Sequence, residues 1–173
     1  MADDFDELRY ADRPGASAEI DIDAPPEAVF AAIADIDLPA RFSSEFQGAT
    51  WLDGATGPAV GARFAGRSVH PAAGEWSTTS TVVEFDPPRT FCWVVTGIDG
   101  DDATTWRFDV APRGSGCTLR QSMQMGPGRS FINVAIESMP DKESRILHRR
   151  VHEHEANIAA NLAGVKALVE SAG

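Results

Sequence analysis

The sequence predicts an α+β domain in which a long C-terminal helix lies across a curved, seven-stranded antiparallel sheet, with two short helices after the first strand. Three observations predict it. A run of short β-patterned segments, evenly spaced and joined by tight turns, fills residues 49–125. A lone alternating strand and two helical patches precede that run. After Pro140 a helical pattern continues to about Ser171.

Residues 1–16 are polar, end in Arg13-Pro14-Gly15, and read as an N-terminal arm, either frayed or a short surface helix; residues 17–173 read as one domain. Ala18 to Ala24 alternates strictly, which turns Ile20 and Ile22 inward on a strand. Pro25-Pro26-Glu27 then opens a helix to about Ala34, since proline suits a first helical turn and glutamate complements the dipole there. Pro39 to Phe46 reads as the second short helix. Strands follow around Thr50-Trp51-Leu52 and over Gly61 to Val69, Trp76 to Phe85, Phe91 to Val95, Thr104 to Val110 and Thr118 to Met125. Phe131 to Met139 forms a short amphipathic helix, and the long helix begins after Pro140 with Asp141 and Glu143 in its first turn.

Bulk properties narrow the function classes. A chain of 173 residues, 43% hydrophobic and 24% charged, is long enough to bury one sizeable core. A formal net charge of −11 argues against nonspecific nucleic-acid binding and against attachment to anionic lipid. No apolar run reaches the roughly 20 residues that span a bilayer, so no membrane insertion is expected. The start, MADDFDELRY, lacks the features of a secretory signal, and Cys92 and Cys117 have no metal-ligand spacing; a cytoplasmic location is expected. A small molecule is the remaining partner class.

Four segments carry a resemblance to a known family: Ala24-Pro25-Pro26-Glu27-Ala28-Val29-Phe30, Trp51 to Phe64, Val83-Glu84-Phe85-Asp86-Pro87-Pro88-Arg89, and Asn161-Leu162 to Leu168. Over about Ala18 to Glu170 the chain resembles the START/Bet v 1-like (SRPBCC) superfamily, in its polyketide cyclase/dehydrase-like branch. The resemblance implies a helix-grip fold with a hollow between sheet and C-terminal helix. It supplies no universal catalytic motif, so function is argued from this chain's own side chains.

At about 100° per residue, Leu147, Val151, Ile158, Leu162, Val165 and Val169 fall on one stripe of the long helix, with His154 in its middle and Arg150 and Asn161 at its margin. On the last strand Gln121 shares the inward face with Leu119, Met123 and Met125. The same parity turns Phe91, Trp93 and Val95 inward, and likewise Trp106, Phe108 and Val110; Trp76, Thr78, Ser80 and Val82 share an inward face unless a bulge shifts them. Each of these side chains is explained singly by core packing, and His154 by one satisfied hydrogen bond in a core. Lining a hollow, Trp76, Phe91, Trp93, Trp106, Phe108, Gln121, Met123, Arg150, Val151, Ile158 and Asn161 would instead form a ligand site for a flat or flexible apolar molecule.

The functional expectation is a carrier or sequestering protein for a small hydrophobic molecule: polyketide-like, aromatic or lipid. The alternative is a cyclase/dehydratase-type enzyme with His154 as general acid or base and Gln121, Asn161 or Arg150 polarising a carbonyl. A weaker alternative is a regulatory domain that contacts a partner through Phe131 to Met139. No cofactor is expected. His148, His152 and Glu155 share a helix face but project away from the apolar stripe, so no metal is expected there. Arg145 and Arg149 either form a solvated face, paired with Glu143, Glu153 and Glu155, or dock an acidic carrier protein. His70 at a hairpin tip is expected in solvent, and Phe131, Val134, Ala135 and Met139 either cap the hollow as a movable lid or pack permanently.

Overall fold

The computed structural model describes residues 7–173, so the first six positions of the expected arm lie outside the described residues. The elements run β1 (Gly15–Ile22), α1 (Pro26–Ile33), a 3-10 helix (Leu38–Arg41), β2 (Phe46–Trp51), β3 (Arg63–His70), β4 (Gly74–Asp86), β5 (Thr90–Thr96), β6 (Asp102–Arg113), β7 (Gly116–Met125), α2 (Phe131–Ser138), a 3-10 turn (Pro140–Lys142) and α3 (Glu143–Ser171). The strands form one sheet in the order β1-β7-β6-β5-β4-β3-β2, every neighbouring pair antiparallel. This is the expected α+β helix-grip architecture.

Strand alternation decides what faces α3. On β7, Leu119, Gln121, Met123 and Met125 are all buried, while Arg120 and Gln124 on the opposite face are exposed. Phe91 on β5 and Phe108 and Val110 on β6 follow the same rule. On β4 the register shifts between Val82 and Glu84. Ser80 and Val82 are buried above that bulge, while Trp76 and Thr78 near the strand's start are only partly so. The inner face of the long helix carries Leu147, His154, Ile158, Asn161, Leu162 and Val165, all buried.

The arm is tied down from Leu8 onward. Leu8 N donates to Ser144 Oγ (3.1 Å), Tyr10 N to Glu143 Oε1 (2.8 Å) and Tyr10 OH to the Gly128 carbonyl (2.6 Å). β1 then starts at Gly15, inside the expected arm.

Two expected elements differ. The second short helix is a 3-10 helix over Leu38–Arg41 only, and Phe46 already belongs to β2. Ser43 Oγ accepts from the amides of Glu45 (3.0 Å) and Phe46 (2.9 Å), turning the chain out of helix and into strand. Helix α2 forms as expected, with Asn133 Oδ1 accepting from Ser130 N at 2.8 Å, but its inner face is Ile132 and Ile136. Phe131, Val134 and Met139 point to solvent, so they are not the side chains that cap the interior.

Candidate functional site

Seven residues are two helical turns, so His154 and Asn161 stand on the same face of α3 and both reach the sheet. Asn161 Nδ2 donates to Gln121 Oε1 across the interior at 2.8 Å. Asn161 is 4% exposed, and its Oδ1 has no hydrogen-bond partner. Such orphaned buried acceptors are rare because each forfeits its hydration without replacement. Above this pair, the His154 ring meets Trp106 edge-on, centroids 5.4 Å apart. Burial, with a smaller contribution from the Arg150 charge, pushes the imidazole down from 6.5 to about 3, so it is neutral at physiological pH. No protein hydrogen bond reaches its ring nitrogens among the described residues, yet they are not sealed from solvent as the Asn161 oxygen is.

An aromatic row continues across the sheet from the polar residues. Trp93 packs on Phe108 (6.0 Å), Phe91 (5.0 Å) and Phe64 (6.0 Å), and Phe64 on Trp51 (5.6 Å). Trp93, Trp106, Trp76 and Val151 remain partly exposed, whereas Phe91, Phe108, Met123 and Ile158 are fully enclosed. The expected hollow is closed in this structure. A crevice ringed by Ile33, Asp35, Leu38, Pro39, Phe108, Asn161 and Val165 runs from the surface to Asn161, yet it admits no water-sized sphere. The closure has an identifiable cause: the chain between α1 and β2 lies over this end of α3. A Cβ placed on Gly164 would sit 2.3 Å from Phe42 Cδ1 and 2.4 Å from its Cγ, so the glycine is what lets that ring press onto the helix.

The same segment is held by charge. Arg150 forks onto Glu45, Nη2 to Oε1 at 2.6 Å and Nη1 to Oε2 at 2.8 Å, and Nη1 also reaches Glu153 Oε2 at 2.9 Å. Glu153 Oε1 faces His70 Nε2 at 3.2 Å. His70 is therefore packed against α3 rather than free in solvent, because the β3–β4 hairpin curls over the helix. Burial favours the neutral form of Glu153, but hydrogen bonds from Arg150 and His70 outweigh it and hold the carboxyl below its usual value. Donor atoms of Glu45, His70 and Glu153 lie within 4.8 Å of one another, a spacing that suits a cation, but the Arg150 guanidinium already occupies both carboxylates. The cluster is a latch across the mouth of the sheet. His152 instead is exposed, 3.6 Å from Glu155.

Of the residues named from sequence, the structure brings Gln121, His154, Asn161, Trp106 and Phe108 to one interior region. Arg150 is at the rim and is already taken by Glu45 and Glu153. Arg149 pairs with Glu153 at 3.3 Å, and Arg145 is exposed. Cys92 and Cys117 are free, buried thiols, both pushed up by burial, which suits neither to nucleophilic work. No helix among the described residues is long and apolar enough to cross a membrane.

Comparison with known proteins fits this geometry. The family model described as polyketide cyclase/dehydrase and lipid transport matches residues 13–170. The chain belongs to that family. Among solved structures, this polyketide cyclase/dehydrase family member is similar to a polyketide-cyclase-like protein from Corynebacterium glutamicum. The two are 28% identical, with 91% of this chain and 92% of that one covered and a TM-score of 0.66. A di-domain aromatase/cyclase from the steffimycin biosynthetic pathway shares the fold at 16% identity and a TM-score of 0.67, 91% of this chain corresponding to 51% of that protein. The protein Ara h 8.0201 shares it at 12% identity and a TM-score of 0.58, over 91% and 98% of the two chains. The comparison with curated proteins yields no match.

Sequence reasoning placed the interior polar residues of this family member but missed the latch and the cover. Glu45 and Arg150 are 105 positions apart, a distance no periodicity bridges. Gly164 was a usable signal: a glycine inside a long helix costs about 1 kcal/mol relative to alanine, so its presence marks a close approach.

Proposed function

We propose that the chain binds a small, largely apolar molecule, polyketide-like, aromatic or lipid, between the sheet and α3, and carries or sequesters it. The observation that carries the reading is the Asn161–Gln121 pair: two carboxamides bonded to each other in an apolar interior, one oxygen left without a donor. A solid core of this size gains stability by replacing such a pair with apolar side chains, so its retention favours a ligand-orienting role. Loading requires the 34–45 segment to lift, which frees the Phe42 ring from Gly164, buried Leu38, the Arg150–Glu45 ion pair and the bond from Val69 N to the Glu45 carbonyl (2.9 Å). The test is native mass spectrometry of protein equilibrated with neutral aromatic and long-chain apolar compounds. A one-to-one adduct that quenches tryptophan fluorescence is expected, since Trp93 and Trp106 border the interior; absence of any adduct overturns the reading.

The second reading is a cyclase/dehydratase. Family membership favours it, and His154 would be its acid or base group. An imidazole pushed down to about 3 is a weak base and carries almost no proton to donate near neutrality. His154 is better suited to orienting a ligand as a neutral donor and acceptor. Turnover by wild type that disappears in His154→Gln, with binding retained, would favour the enzyme.

A further inference from the structure

We infer that the interior selects neutral ligands bearing a hydroxyl group, alcoholic or phenolic, and seats that hydroxyl as a donor to Asn161 Oδ1, excluding carboxylate-bearing apolar molecules. The inference rests on the binding reading above and narrows it. Asn161 spends an N–H on Gln121, and its oxygen is sealed from water with no donor nearby. An ether, an ester or a carboxylate cannot fill that need; a hydroxyl can, because it brings its own proton. The oxygen of that hydroxyl can in turn accept, and carboxamide or imidazole N–H groups are the donor types this interior offers.

The buried polar residues are Ser80, Thr90, Gln121, His154 and Asn161, none of them a permanent cation. Thr90 spends its hydroxyl on Asp109 at 3.1 Å, on the outer side of the sheet. The cation nearest His154 on α3 is Arg150, and both of its terminal nitrogens are committed to Glu45 and Glu153. A carboxylate drawn into this space would be desolvated with no countercharge, whereas a neutral hydroxyl loses only hydrogen bonds that Asn161 restores. Neutral His154 fits the same exclusion, since it offers no positive charge to an anion.

The test is a matched set of probes titrated into the full chain at pH 7 by calorimetry: 2-naphthol, 2-methoxynaphthalene and 2-naphthoate, with 1-dodecanol and dodecanoate as the aliphatic pair. The expected result is that 2-naphthol binds about tenfold or more tighter than its methyl ether, because the ether leaves the acceptor unpaired. Each carboxylate should bind about 100-fold or more weakly than its hydroxyl counterpart. Asn161→Leu should bring 2-naphthol down to the level of the ether and leave the ether unchanged; the Gln121→Leu/Asn161→Leu double variant, which strands no polar group, should do the same. Equal affinity for naphthol and ether, tighter binding of either carboxylate, or a hydroxyl preference that survives in both variants overturns the inference while the binding reading stands. Failure of all five probes to bind wild type overturns the binding reading itself, and the inference with it.

Discussion

Replacing Gln121 and Asn161 by leucine, singly and together, separates a ligand-orienting pair from a structural one. The two side chains are 6% and 4% exposed and hydrogen-bond only to each other at 2.8 Å. Gln121→Leu leaves both polar ends of Asn161 without a protein partner, and Asn161→Leu strands the Gln121 oxygen. Each single change therefore costs about 1–3 kcal/mol. In a chain of 173 residues that is a fall in Tm of roughly 2–12 °C, at about 2–4 °C per kcal/mol. The double variant strands nothing and also removes the orphaned Asn161 oxygen, so its stability should return to within about 1 kcal/mol of wild type or exceed it. The coupling between the sites, the cost of the double variant less the summed cost of the singles, is then favourable by about 2–6 kcal/mol. Urea denaturation followed by tryptophan fluorescence measures all four corners of the cycle, and ligand titration of the same proteins measures what the polar pair contributes to binding. A double variant as unstable as the sum of the singles would refute the reasoning, because it would make the pair a structural requirement.

Other consequences follow from named contacts. The folded-state value of about 3 for His154 lies below its ordinary 6.5, so the unfolded chain binds an extra proton between them. The stability from keeping the ring neutral is complete above pH 6.5 and is lost as pH falls. By pH 5 the loss is about 2 kcal/mol, and His154→Gln should remove that share of the acid sensitivity in parallel urea titrations at pH 7 and 5. Gly164→Ala forces the Phe42 ring off α3 and should lower stability by about 1–2 kcal/mol despite alanine's better helix propensity; an unchanged or raised Tm would contradict the account of the cover. Glu45→Gln removes the charged half of the bidentate contact to Arg150, which should raise the ligand association rate in stopped-flow fluorescence more than it changes the final affinity. Tyr10→Phe deletes the 2.6 Å bond to the Gly128 carbonyl, and faster amide exchange in residues 126–139 is expected at a cost of about 1 kcal/mol.

Much of the fold was legible because local pattern dictated it. The alternation on β7 turns Gln121 inward and Arg120 outward, and the apolar stripe of α3 places His154 on the inner face. Boundaries slipped where side chains bonded their own backbone: Ser43 ended the expected second helix early. Asn161 illustrates a different limit. Projection placed it at the margin of the stripe, yet the sheet curls far enough to bury it. The face of α2 was misassigned because an eight-residue amphipathic segment carries apolar residues on two sides, and only tertiary contact chooses Ile132 and Ile136 over Phe131 and Val134. The latch was invisible for a related reason, since it joins the α1–β2 connection, a hairpin end and a helix from distant parts of the chain.

The central claim is that an apolar ligand enters beneath α3 and meets Asn161. The most direct measurement is isotope-edited NMR of the labelled protein with 2-naphthol, reading nuclear Overhauser contacts between ring protons and protein. Contacts to the Asn161 side-chain amide, the His154 ring and the Trp106 indole are expected, with shifts spreading to Phe42 as the cover moves. Contacts confined to the open groove of about 240 Å³ along Ser17, Arg120 and Ser122, or no contacts at all, would contradict it.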